Sequence, residues 1–127
     1  MQYNNIYFSR CLPTDLVGQI LTALQVEDHT ITLTAGGRTF ILEDPNDCCE
    51  KRYFHTDDEV APHLQTHIIS IEVAKAPSLE DADGGRHEVC FLRIGTTVGV
   101  FVVSAHNIHN GYYGGFNLCV HPVEATQ

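Results

Sequence analysis

The chain has 127 residues, 43% of them hydrophobic, which is enough apolar material for one ordinary core and too little for two independent domains. Sixteen Asp and Glu against seven Lys and Arg leave a formal charge of -9, whose field repels polyanions and so excludes extended nucleic acid and a membrane surface as partners. A compact anionic ligand stays open, because a local cluster of Arg side chains and backbone N–H groups acts at short range.

Pro13 followed by Thr14-Asp15-Leu16-Val17 predicts a short helical turn, with Pro near an N-terminal helical position. Period-two alternation then dominates and predicts strands. Ile20 to Val26 places Ile20, Leu24 and Val26 on one face, and His29 to Thr34 sets Ile31 and Leu33 against threonines. Gly36-Gly37 supplies turn chemistry before Arg38 to Leu42, completing a three-strand meander. Residues 44–56, "DPNDCCEKRYFHT", break the alternation and read as a structured loop. Thr56 followed by Asp57-Asp58-Glu59 offers an N-cap and a first turn of acids, so 57–65 is predicted as a short helix.

Ile68 to Ala76 resumes the strand pattern, and "PSLEDADGGR" over 77–86 is a polar, glycine-containing connection. His87 to Thr96 alternates Val89, Phe91 and Arg93 against Cys90, Leu92 and Ile94, while Val98 to Ala105 is almost continuously apolar, as in a central strand. Phe116, Leu118 and Val120 alternate in a final strand that Pro122 ends. The expectation is one α+β domain over 1–127, mainly an antiparallel β-sheet of about seven strands with one or two short helices.

Five cysteines, an odd number with Cys48 and Cys49 adjacent, make no even disulfide framework and indicate a reducing compartment. The N-terminus lacks a basic-then-apolar pattern, and no apolar run approaches the roughly 20 residues that cross a bilayer. A soluble intracellular protein is expected.

The densest chemistry lies in "HNIHNGYYGGF", residues 106–116. Asn110-Gly111 between apolar segments is a hairpin signal, since both residues tolerate positive φ. Tyr112 and Tyr113 offer flat rings on which a purine stacks, and Gly114-Gly115 lets backbone N–H groups approach a ligand; capping of the core explains the same residues. The pairs His106/His109 and His63/His67 each lack a third ligand at a diagnostic spacing, and adjacent Cys48 and Cys49 do not easily chelate one ion. No metal and no cofactor is expected. A Cys–His hydrolase needs a thiolate beside an imidazole and an oxyanion hole, and nothing in residue order favours it. Arg52, Arg86, Arg93 and Arg38 are candidate phosphate partners, each weighed against an ordinary solvated surface charge.

Three ordered strings, "DCCEKRYFHTDDEV" at 47–60, "HEVCFL" at 87–92 and "HNIHNGYYGGF" at 106–116, together resemble a family of small phage and metagenomic proteins, identified here with the anti-Thoeris sponges of the first type. The similarity runs from about Ile31 to Val120, and Phe54 and His55 are where this chain departs from the pattern. The resemblance implies a non-catalytic phage protein that sequesters a cyclic ADP-ribose isomer, takes up cyclic di- or trinucleotides at a second site, assembles as a hexamer and acts in the cytoplasm of the infected bacterial host. With the residue chemistry it implies ligand contacts at Arg52, Tyr53, Thr56 and Asp57 in the first string and His87 and Phe91 in the second. In the third they are His106, Asn107, His109, Asn110, Tyr112, Tyr113, Gly114 and Gly115. The alternatives are a cyclic-nucleotide or ADP-ribose hydrolase using histidines, and a small phage interaction module without a ligand.

Overall fold

A computed structural model describes residues 1–45, 50–76, 85–109 and 114–123, and the backbone of 79–80. Eleven strands among the described residues carry the fold: β1 Gln2–Tyr3, β2 Ile6–Phe8, β3 Ile20–Val26, β4 Thr30–Ala35, β5 Arg38–Glu43, β6 Lys51–His55, β7 Thr66–Lys75, β8 Leu79–Glu80, β9 Arg86–Thr96, β10 Gly99–His109 and β11 Cys119–Pro122. They join in the order β1-β2-β11-β5-β4-β3-β7-β9-β10-β6, with β8 pairing β9. Every ladder is antiparallel except β11 with β2.

The mainly antiparallel sheet matches the expectation, whereas the helical half of α+β shrinks to two 3-10 turns among the described residues, Pro13–Asp15 and Ala61–His63. The first lies inside the predicted N-terminal turn. The predicted helix over 57–65 does not form, for two local reasons. Pro62 removes a backbone donor and crowds the preceding turn. The capping groups also serve another partner: Thr56 Oγ1 donates to the Val102 carbonyl at 2.7 Å, and Asp58 Oδ2 accepts from Val102 N–H at 2.8 Å.

The meander forms as read. Gly36 and Gly37, at φ 59° and 79°, occupy both central positions of the tight turn that pairs Ala35 with Arg38. The face assignment within β3 differs from the alternation, because Leu21 and Leu24 are buried while Ile20 is 41% exposed. A register shift between Leu21 and Ala23 reverses which side chains point inward. Residues 44–56 are not all loop, since β6 lies within them, and the N-terminal hairpin carries no hydrophobic run to announce it. The last strand sits later than predicted, at Cys119–Pro122.

Both ends of the strand order are tied back. Asn4 and Asn5, at φ 49° and 67°, make the β1–β2 turn, and their side-chain amides donate to the Ile71 and Val73 carbonyls of β7. Val73 N–H donates to the Asn4 carbonyl, so this stretch of β7 edge is occupied. At the far end, Phe54 N–H of β6 donates to the Asp28 carbonyl in the β3–β4 turn. The rolled sheet encloses one core, in which Phe8, Phe40 and Phe101 are among the largest fully buried side chains. Each side chain of that size contributes about 1.5–3 kcal/mol by leaving water. No helix among the described residues is long and apolar enough to cross a membrane.

Candidate functional site

β10 separates the predicted contacts by its own period. His106 faces outward, whereas Asn107 and His109 are buried. His106 and His109, three residues apart, therefore stand on opposite faces of the sheet and cannot share a ligand atom.

The inward groups belong to a buried polar network. Arg52 is 3% exposed and grips two carboxylates: Nη1 reaches both Asp44 oxygens at 2.8 Å, Nη2 reaches Glu50 Oε2 at 2.7 Å, and Nε reaches Glu50 Oε1 at 3.3 Å. Burial pulls the guanidinium pKa down, but the hydrogen bonds to Glu50 and Asp44 outweigh it and hold the group above its ordinary value. Asn107 Nδ2 donates to Glu50 Oε2 at 2.8 Å and to the Gly115 carbonyl at 3.2 Å, while its Oδ1 is buried with no partner among the described residues. His109 Nε2 meets Glu88 Oε1 at 2.6 Å, and Gly115 N–H donates to both Glu88 oxygens at 3.2 and 3.4 Å. Asn117 N–H donates to Asp44 Oδ1 at 2.8 Å.

Asp44, Glu88 and Asn107 thus fix the backbone of residues 115–117 from three sides. A Cβ on Gly114 would lie 2.6 Å from Glu88 Oε1 and 3.4 Å from His109 Nε2, so a side chain there displaces the Glu88 carboxylate. Among the described residues the network sets three carboxylates, Asp44, Glu50 and Glu88, against Arg52 and His109, a balance that does not favour phosphate.

The outward groups form a second cluster. Tyr53 of β6 lies flat on His106 of β10, with centroids 4.4 Å apart and planes 1° apart. His106 contacts His87 Nε2 through Nδ1 at 2.9 Å and Ser104 Oγ through Nε2 at 2.8 Å. Burial, then the neighbouring His87 and His55, push the His106 pKa below its ordinary value. Phe91 is exposed on the same side of β9, paired with Ser104. Asp57 is at the surface and pairs with His55 at 2.9 Å.

The larger concavity is elsewhere. A cavity of about 470 Å³ opens where the N-terminal hairpin, the end of β7 and the segment 116–119 meet. Gln2, Asn5 and Tyr7 form one wall, Val73 and Lys75 a second, and Phe116, Asn117, Leu118 and Cys119 a third, with Pro45 at the side. Its volume falls within the range of small-molecule sites. Lys75 makes no ion pair among the described residues, while Tyr7 and Phe116 provide aromatic surface and three side-chain amides provide hydrogen bonds. A smaller cleft of about 250 Å³ lies between the β3–β4 turn and β6, lined by Asp28, His29, Lys51, Arg52 and Tyr53.

The structure therefore brings Tyr53, His87, Phe91 and His106 to one outer face and Arg52, Asn107, His109, Gly114 and Gly115 to the buried network. Thr56 serves as a strand-edge cap. Asn110, Tyr112 and Tyr113 lie outside the described residues, as do Cys48 and Cys49. Arg93 pairs with Glu72 at 3.8 Å and Arg38 with Asp15 at 3.5 Å, both at the surface. His63 is buried on Thr96 at 2.8 Å, whereas His67 is exposed. Burial pushes the Cys90 thiol up to about 12, and it raises Cys119 and Cys11 as well, so these thiols are held in the protonated, poorly nucleophilic form.

Sequence reasoning missed Asp44, Glu50 and Glu88 as the partners of Arg52 and His109. The carboxylates flanking Arg52 within eight residues were the available signal. Lys75, Asn5 and Tyr7 carried none, because each reads as an ordinary surface residue until the hairpin folds onto β7.

Neither a curated protein nor a solved structure matches this chain. A family model described as a domain of unknown function, DUF7448, matches residues 14–118, a span that covers the meander, the buried network and most of the segment walling the cavity. The chain belongs to the DUF7448 family.

Proposed function

We propose that this protein is a non-catalytic sponge that binds and sequesters a cyclic nucleotide signal, with a cyclic ADP-ribose isomer as the leading ligand class. The observation that carries the reading is the 470 Å³ cavity walled by Phe116, the last residue of the "HNIHNGYYGGF" string, and by Asn117 next to it, with Lys75 at its side. A ligand of this class has an adenine to stack on aromatic rings, ribose hydroxyls for amide side chains and a pyrophosphate for a cation. Tyr7 and Phe116, then Asn5, Gln2 and Asn117, then Lys75 are the matching groups. The resemblance carried by the three strings supports the same class. It extends the proposal to a second site for cyclic di- or trinucleotides, a homo-hexamer, and the cytoplasm of an infected bacterial host.

Lys75 replaces Arg52 as the proposed phosphate contact, because the Arg52 donors are directed to Asp44 and Glu50. One lysine is enough for a compact anion when polar donors surround it, and this reconciles an anionic ligand with a chain of charge -9.

A thermal-shift panel of cyclic ADP-ribose isomers, cyclic dinucleotides and cyclic trinucleotides tests binding, since a ligand that binds only the folded state raises the melting temperature. Heating the loaded protein and assaying what is released separates the two mechanisms. Intact ligand in stoichiometric amount is the expected result, and a degraded product would establish the hydrolase instead. No shift with any member of the panel would overturn the reading in favour of an interaction module. Light scattering gives the assembly state.

A further inference from the structure

His87 Nε2 and His106 Nδ1 face each other at 2.9 Å on the outer side of β9 and β10. They are not direct register partners: His87 stands opposite Ile108 and His106 opposite Val89. The rings therefore meet along the diagonal of the ladder, a separation that long side chains bridge.

The hydrogen bonds around His106 decide which of its nitrogens carries the proton. Ser104 Oγ donates to the His55 carbonyl at 3.0 Å, and a hydroxyl has one proton to give. Its 2.8 Å contact with His106 Nε2 is therefore one in which the imidazole donates. A neutral imidazole has a single N–H, so Nδ1 of His106 presents its lone pair, and the proton between the two rings belongs to His87. The flat stack on Tyr53 holds the ring of His106 in this orientation.

Metal–imidazole bonds are about 2.0–2.1 Å long, so two of them at a right angle place their nitrogens about 2.9 Å apart. A tetrahedral angle would need about 3.3 Å for the same bond lengths. The observed spacing suits two neighbouring positions of a square-planar or octahedral ion, the preference of Ni²⁺ and Cu²⁺. Among the described residues no set of three His, Cys, Asp or Glu side chains is placed to hold a metal, so water would complete the shell.

We propose that His87 and His106 form a cross-strand, two-histidine site for a divalent transition metal of the Ni²⁺ or Cu²⁺ class. On binding, His87 carries its proton on Nδ1 in place of Nε2, which frees the Nε2 lone pair. Both rings stay neutral and no proton is released, and the ion sits to one side of the N–N line, where the two lone pairs converge once the shared hydrogen has moved to His87 Nδ1. Ser104 is a positioning residue that keeps His106 in the required tautomer, as outer hydrogen bonds do at metal-bound histidines. The site is independent of the 470 Å³ cavity, whose lining contains neither histidine.

Titrating the full chain with Ni²⁺ by calorimetry, and mapping paramagnetic broadening in NMR spectra of the same protein, tests this assignment. The expected result is broadening centred on His87, His106, Ser104 and Tyr53, with affinity lowered at least about tenfold in His87→Ala and in Ser104→Ala. His106→Ala should abolish the site; if that variant does not fold, the broadening map of the unaltered protein and His87→Gln decide. Joint replacement of Cys48 and Cys49 by serine should leave the affinity unchanged. Broadening centred elsewhere, or equal affinity with and without the His87 imidazole, overturns the proposal.

Discussion

Arg52 Nη1 sits 2.8 Å from both carboxylate oxygens of Asp44, and neither side chain is more than 4% exposed. A cation in that position is a structural group rather than a surface charge awaiting a ligand. Arg52→Ala would remove the guanidinium that faces two buried carboxylates, Asp44 and Glu50, at a cost of about 3–5 kcal/mol. Denaturant unfolding of the variant measures it. A loss within 0.5 kcal/mol, which is about the scatter for surface substitutions, would show that the network does not depend on the guanidinium.

Gly114 and Gly115 respond to a methyl group for different reasons. Gly114→Ala pushes a Cβ against Glu88 Oε1 at 2.6 Å and should destabilise by about 1–3 kcal/mol while disturbing the Glu88–His109 contact. Gly115→Ala meets nothing within 4 Å, but its φ of 77° costs an L-residue about 1–2 kcal/mol. Paired thermal melts give both losses, and a change in the His109 imidazole resonances confined to Gly114→Ala separates the two causes.

Lys75→Ala tests the cavity without touching the core, because the side chain is exposed and makes no ion pair among the described residues. Loss of one charge-assisted contact to a ligand phosphate amounts to about 1.5–3 kcal/mol, or roughly 10- to 150-fold in Kd. Calorimetry with whichever nucleotide scores in the thermal-shift panel reads it directly. An unchanged Kd with an unchanged melting temperature would move the ligand away from this cavity.

The depressed pKa of His106 has a definite sign in stability. Burial, His87 and His55 disfavour its charged form in the folded state, so the unfolded chain binds the proton more readily. The contribution of this group is complete above its ordinary value of 6.5 and is lost as pH falls from there through the lowered folded value. Between pH 7 and pH 5 the unaltered protein should therefore lose more stability than His106→Gln. An NMR titration placing the His106 pKa at or above 6.5 would reject the assignment.

The strands with period-two patterns and glycine turns were legible because each signal is local. Gly36-Gly37 needs only its own backbone to make a turn, and Cys90, Leu92 and Ile94 declare their face by alternation. β6 was hidden because its inward positions are Arg52 and Phe54. A buried arginine breaks the hydrophobic pattern, and it is tolerated only because Asp44 and Glu50 arrive from outside the strand. The helix expected over 57–65 failed on similar grounds, since Thr56 and Asp58 find a better use at the β10 edge than at a helix N-terminus.

By itself, then, the sequence determined an acidic chain of mainly antiparallel strands, and it marked residues 106–116 as dense in polar and aromatic groups. Composition and alternation are sums over neighbours along the chain, and they need no knowledge of what folds against what. Only the tertiary structure decided that Arg52 is an internal ion-pair partner, that His106 and His109 face apart, and that Lys75, Tyr7 and Phe116 line one cavity. Those facts depend on contacts across long sequence distances, made when the N-terminal hairpin closes on β7 and Asp44 and Glu88 draw residues 114–118 into place.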